Sequence, residues 1–163
     1  MICVLTLVTG IYVTCNTLLT DDKISNLEII EYSSSRISKR FADYKQHFLS
    51  DLVPVEKHIG YGQLVNDADM NGNPIVMIIE GNYFSFKKSV YAHASSTLIY
   101  DITDYSEYNY FTTFVGLNNT STRGNGVIFH FYTSEDGKNW NEVIDPIEKL
   151  PKSEATFVEI PLK

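Results

Sequence analysis

Histidine, carboxylate and thiol chemistry can be tested first, because each needs particular residues at particular spacings. The four histidines, His47, His58, His93 and His130, form neither an H-x-x-x-H nor an H-E-x-x-H pair. The two-imidazole helix face of a zinc protease is therefore absent. No G-x-S-x-G turn presents a serine nucleophile, and no G-x-x-x-x-G-K-[ST] loop is available to cradle a phosphate. Glu56, Asp67 and Asp69 are acids of the kind glycoside hydrolysis uses, but that reaction needs two carboxyls about 5–9 Å apart across a bond. Their order in the chain does not set such a distance. The only thiols, Cys3 and Cys15, lie in an uncharged opening stretch. The rest of the chain thus has no disulfide frame, cysteine zinc site or cysteine nucleophile. The reading is a protein without catalysis of its own.

One run has the look of a cation loop. Asn66-Asp67-Ala68-Asp69-Met70-Asn71-Gly72 sets oxygen donors at alternate positions ahead of a glycine, as calcium loops do. The closing glutamate and the flanking helices of an EF-hand are missing. Two readings stay open: an Asx-rich turn that satisfies its own backbone, and a single calcium site in a surface loop. No other cofactor is expected.

The elements that would position these residues follow from composition and pattern. The chain has 163 residues, enough for one ordinary domain, with 44% hydrophobic residues to build a core. Thirteen Lys and Arg against 20 Asp and Glu leave a net charge of −7. That field argues against a nucleic-acid partner. Tyr and Phe dominate the aromatics, which favours pleated surfaces and an all-β fold. Met1 to Thr20 carries no charge, and its apolar run from Ile2 to Val13 has the length of a signal-peptide core. Residues 1–20 are read as an export or anchor segment or a truncated signal, with a buried strand as the alternative. Export implies an extracellular or cell-surface location, and this segment is the only membrane contact expected. Residues 21–45 turn polar, with Arg36, Lys39 and Arg40, and read as a spacer.

From residue 46 onward, short apolar runs alternate with turn residues. Leu98, Tyr100 and Ile102 mark one strand face, Val127, Phe129 and Phe131 another, and Thr156, Val158, Ile160 and Leu162 a third. Ile75–Ile79 is continuously apolar, which predicts a strand covered on both sides. Asp136-Gly137 predicts a two-residue hairpin before a strand at Trp140–Ile144, while Asn71-Gly72-Asn73-Pro74 and Glu80-Gly81-Asn82 predict further turns. Together these point to a β-sandwich or barrel.

Six short motifs occur in order: Phe48-Leu49-Ser50-Asp51-Leu52, Gly60-Tyr61-Gly62, Ser89-Val90-Tyr91-Ala92-His93-Ala94-Ser95-Ser96, Phe114-Val115-Gly116-Leu117-Asn118-Asn119, Gly126-Val127-Ile128-Phe129 and Asp136-Gly137. In this order the chain resembles the NPCBM domain, a carbohydrate-binding module attached to glycoside hydrolase family 98 enzymes and classed as carbohydrate-binding module family 51. Tyr61 replaces the family's tryptophan, and Asn118-Asn119 replaces an acidic pair. The family continues past the point where this sequence stops, so residues 46–163 are read as a module incomplete at its C-terminus.

The resemblance implies a discoidin-like (galactose-binding-like) β-sandwich that holds galactose-containing glycans beside a catalytic domain on the same polypeptide. Tyr61, bracketed by glycines, is the candidate platform for a sugar ring, the alternative being a turn residue folded onto the edge of the core. Glu56, His58, Lys88, His93, Asn118 and Asn119 are the candidate partners for sugar hydroxyls. For His93 a structural hydrogen bond competes with ligand contact, for Asn118 and Asn119 a turn role does, and for Glu56, His58 and Lys88 a solvated surface position does. Two other functions remain: an adhesion or structural sandwich that binds protein, and an inactive fragment of a glycoside hydrolase.

Overall fold

The computed structural model describes residues 2–8, 13–20, 46–122 and 124–162. Among these the chain is all β, its only helical pieces being two three-residue 3-10 turns, Leu49–Asp51 and Thr103–Tyr105. No helix among the described residues is long and apolar enough to cross a membrane.

Among the described residues fourteen strands make two large sheets and one hairpin. The first sheet runs β12 (Asn141–Glu142), β11 (Val127–Ser134), β1 (Ile2–Val8), β9 (Ser96–Asp101) and β4 (Glu56–His58), with β13 (Ile147–Lys149) also paired to β11. The second runs β14 (Thr156–Pro161), β10 (Tyr110–Gly116), β2 (Val13–Thr20), β8 (Val90–Ala92) and β5 (Val65–Asn66), with β3 (Gln46–Phe48) on β2. Alternation explains how they pack. Leu98 and Tyr100 of β9 and Val127, Phe129 and Phe131 of β11 share one buried cluster with Val90, Phe111, Val115, Val158 and Ile160 of the second sheet. The two sheets therefore lie face to face as a sandwich.

A second cluster covers the outer face of the second sheet. Ile75, Met77 and Phe86 of the hairpin β6 (Ile75–Ile79) and β7 (Asn82–Phe86) pack with Tyr91 and Phe114. This corrects one expectation. In β6 only Ile75, Met77 and Ile79 are buried, while Val76 and Ile78 are half-buried. The strand covered on both sides is β10, buried from Phe111 to Gly116, because the core lies on one face and the hairpin on the other.

Turn chemistry differs from expectation in the same informative way. The tight two-residue turn is Glu80-Gly81, where both residues have positive φ (49° and 75°) and Ile79 faces Asn82. Asp136-Gly137 sits instead in a longer loop between β11 and the two-residue β12, which is shorter than the expected Trp140–Ile144. There the Asp136 carboxylate accepts hydrogen bonds from the backbone N–H groups of Asn139 and Lys138, which hold its pKa well below the usual carboxylate range. A side chain that organises several amides stabilises a wide loop as readily as a tight one.

The opening stretch, read as an export or anchor segment with a buried strand as the alternative, supplies a strand to each sheet. β1 pairs on both sides, with β11 from Ile2↔Ser134 to Val8↔Ile128 and with β9 from Ile2↔Asp101 to Leu7↔Ser96. β2 likewise lies between β10 and β8. An uncharged apolar run reads equally well as a signal core or as a central strand, and length alone does not separate them. The spacer at residues 21–45 lies outside the described residues.

Candidate functional site

Loops at one end of the sandwich bring the glycine-bracketed turn and the histidine motif together. β4 leads into Gly60-Tyr61-Gly62, and its register sets His58 opposite Thr97, beside the start of β9. The Gly60 N–H donates to Ser96 Oγ at 3.3 Å, and the Ser96 hydroxyl in turn donates to the His93 carbonyl. The approach is close: a Cβ on Gly60 would lie 2.5 Å from the Ser95 nitrogen and 2.6 Å from its oxygen. Gly62 has φ +70°, and a Cβ there would meet the Met70 Cε at 3.0 Å. Only glycines let this turn pass so close to its neighbours. Tyr61, between them, is 68% exposed.

Behind Tyr61 stands His93, whose ring centroid is 5.0 Å away at an interplanar angle of 71°. His93 is 5% exposed. Its Nε2 lies 2.9 Å from Met70 Sδ and 3.4 Å from the Tyr91 hydroxyl. Burial pushes the imidazole pKa below its ordinary value, so the ring is neutral at physiological pH. The result is an uncharged stack: a solvent-facing phenol, a half-exposed thioether and an imidazole held from behind by a second tyrosine. Met70 and Tyr91 were not among the candidates. In the sequence Met70 is one residue of the Asx-rich run, and a methionine carries no spacing signature that would single it out.

The remaining candidates are spread over the molecule. Glu56 and His58 are exposed on β4, two residues apart on an edge strand that leads to Tyr61. Lys88 lies at the opposite end of β8 from His93. Its ammonium pairs with Asp51 and, at 3.0 Å, with Asp67, and it stands 5.7 Å from the Phe48 ring centroid. Hydrogen bonds to these two aspartates raise the Lys88 pKa. For Asp67, burial acts upward, but the nearby Ser50 hydroxyl and hydrogen bonds from the Ser89 N–H and the Lys88 ammonium outweigh it, and the net shift is down.

Asn118 and Asn119 follow β10, where both serve the chain itself. Asn118 is 2% exposed and its Oδ1 accepts the Val76 N–H at 3.1 Å. Asn119 donates its N–H to the Val76 carbonyl at 2.7 Å and accepts from Lys152 Nζ through its side-chain oxygen at 3.0 Å. These contacts tie the loop after β10 to β6. A surface role for Asn118 would require the loop to leave that hairpin.

The Asx-rich run is likewise occupied by its own backbone. Asp69 Oδ1 accepts the N–H groups of Asn71 at 2.8 Å and Asn73 at 2.9 Å, while Asp67 Oδ1 accepts that of Ser89 at 3.0 Å. The two carboxylates thus serve different partners. Among the described residues no group of three or more His, Cys, Asp or Glu is arranged to hold a metal ion.

Comparison with known proteins gives one result. No curated protein and no solved structure matches the chain significantly. The profile of the NPCBM/NEW2 domain matches residues 45–155, which include the Tyr61 turn, His93 and the strands from β3 to β13. On that match the chain belongs to the NPCBM/NEW2 domain family, whose members are non-catalytic carbohydrate-binding domains.

Proposed function

We propose that this chain recognises galactose-containing glycans at or outside the cell surface, as a module that works beside a glycoside hydrolase. The observation that carries the reading is the exposed Tyr61 ring, raised on a glycine-bracketed turn and braced by the buried, neutral His93. The apolar face of a pyranose packs on an aromatic ring, and directional polar groups at the rim then read its hydroxyls. Glu56 and His58, on the strand that feeds the turn, are the rim groups nearest in sequence. A braced ring loses little conformational freedom when a sugar docks, so less of the contact energy is spent on ordering it.

Isothermal titration with galactose and lactose, alongside a glycan array, tests the reading. Saturable binding that Tyr61→Ala reduces at least about tenfold, a loss of about 1.4 kcal/mol, is expected. The fold should stay intact, because an exposed side chain contributes within about 0.5 kcal/mol to stability. Binding that survives Tyr61→Ala unchanged would remove the platform. A flat titration together with an empty array would remove the glycan reading and favour a protein partner.

A further inference from the structure

The family match begins at residue 45, yet the central strand of each sheet comes from residues 2–20. β1 and β2 belong to different sheets and do not pair with each other. Among the described residues each finds its ladder partners from residue 46 onward: β9 and β11 for β1, and β3, β8 and β10 for β2. Among the described residues, no ladder pairs one part of the opening segment with another.

Without that segment the first sheet would divide between β9 and β11, and the second between β8 and β10. Four strand edges would then face inward with unpaired N–H and C=O groups. Such gaps are specific acceptors, because backbone pairing fixes direction and register. The segment suits them: it is uncharged from Met1 to Thr20, and its longest ladders run from Ile2↔Ser134 to Val8↔Ile128 and from Thr20↔Tyr110 to Thr14↔Gly116.

The connection permits exchange. Thr20 and Gln46 are register partners, and 25 residues of sequence separate them. Twenty-five residues of chain have a contour length of about 80 Å at about 3.3 Å per residue, ample for Thr20 and Gln46 to sit in different molecules.

We propose that residues 2–20 are an exchangeable donor segment, and that the slots between β9 and β11 and between β8 and β10 accept it from a second copy of this chain. At low concentration the linked donor fills its own slots, since its effective concentration exceeds that of any neighbour. At high concentration, or on joint refolding, copies trade donors and form a closed strand-exchanged dimer.

The native thiols report this directly. Cys3 faces Thr133 across β1 and β11, a spacing that a disulfide spans. Full-length Thr133→Cys, in a Cys15→Ser background, is refolded dilute and concentrated, oxidised and run on a non-reducing gel. A cross-linked monomer from the dilute sample and a dominant cross-linked dimer from the concentrated one are expected, with neither in Cys15→Ser alone. Cross-linked monomer at every concentration would overturn exchange. No cross-link, or an equal dimer without Thr133→Cys, would overturn the placement of the donor. If circular dichroism shows that Thr133→Cys fails to fold, Val115→Cys against Cys15 in a Cys3→Ser background reads the second slot in the same way.

Discussion

The two ends of β8 are built on opposite principles. Before the strand, Lys88 meets Asp51 and Asp67, and Asp67 also takes the Ser89 N–H. Lys88, Asp51 and Asp67 each have a partner in the chain. After the strand, His93 is neutral and buried, and the ring it supports faces solvent. A network whose polar groups satisfy one another positions a backbone and has little left to offer a ligand. An apolar ring held rigid at the surface has unused contact area, which is the resource a binding site needs. Composition would have suggested the reverse, since a charged lysine looks more functional than a histidine between two alanines.

Four measurements can break or sharpen this contrast. Gly60→Ala should act most strongly, because its Cβ would press on the Ser95 backbone within 2.6 Å. A loss of about 2–3 kcal/mol in chemical denaturation is expected, together with loss of glycan binding. Full stability in that variant would mean that the turn is not seated on residues 94–95.

Met70→Ala comes next. It removes the thioether that lies against Gly62 and His93, at a cost of about 1 kcal/mol in stability and a several-fold loss in affinity. Lys88→Met should cost up to about 1 kcal/mol, because the pairs it breaks are one-third exposed and partly screened. It should leave glycan affinity unchanged, and a large affinity loss would erase the distinction between the two ends.

The smallest effect is in pH. Burial keeps the folded imidazole of His93 below its unfolded value, so the unfolded chain takes up the proton first as pH falls. The contribution of His93 to stability is thus fully present above about pH 6.5, the ordinary histidine value, and declines as pH falls from there toward the folded pKa. His93→Gln should flatten that slope in denaturation midpoints measured between about pH 7.5 and about pH 5.5. An identical slope in the variant would assign it to other groups.

Much of the fold was legible before any coordinates. The alternation in β9, β11 and β14 marked the buried faces, and Leu98, Tyr100, Phe129, Phe131, Val158 and Ile160 all lie in the core. The candidate site was legible in part. Gly60-Tyr61-Gly62 and His93 stood out as motifs, and they meet. Glu56 and His58 lie on the edge strand leading there, whereas Lys88 and Asn118 are committed elsewhere. Met70 gave no signal, because a thioether beside an imidazole is a three-dimensional coincidence of loops more than 20 residues apart.

The amino-acid sequence by itself determined what depends on neighbours along the chain. Strand periodicity, a turn that only glycines permit, the family and the acidic surface all follow from local pattern and composition. Tertiary structure alone decided what depends on neighbours in space. It placed an uncharged opening stretch between strands that lie from 75 to more than 100 residues away in sequence, covered β10 on both faces, and separated Lys88 from His93. Long-range pairing is chosen by which edges and faces remain unfilled once the local elements have formed. No window of residues contains that information.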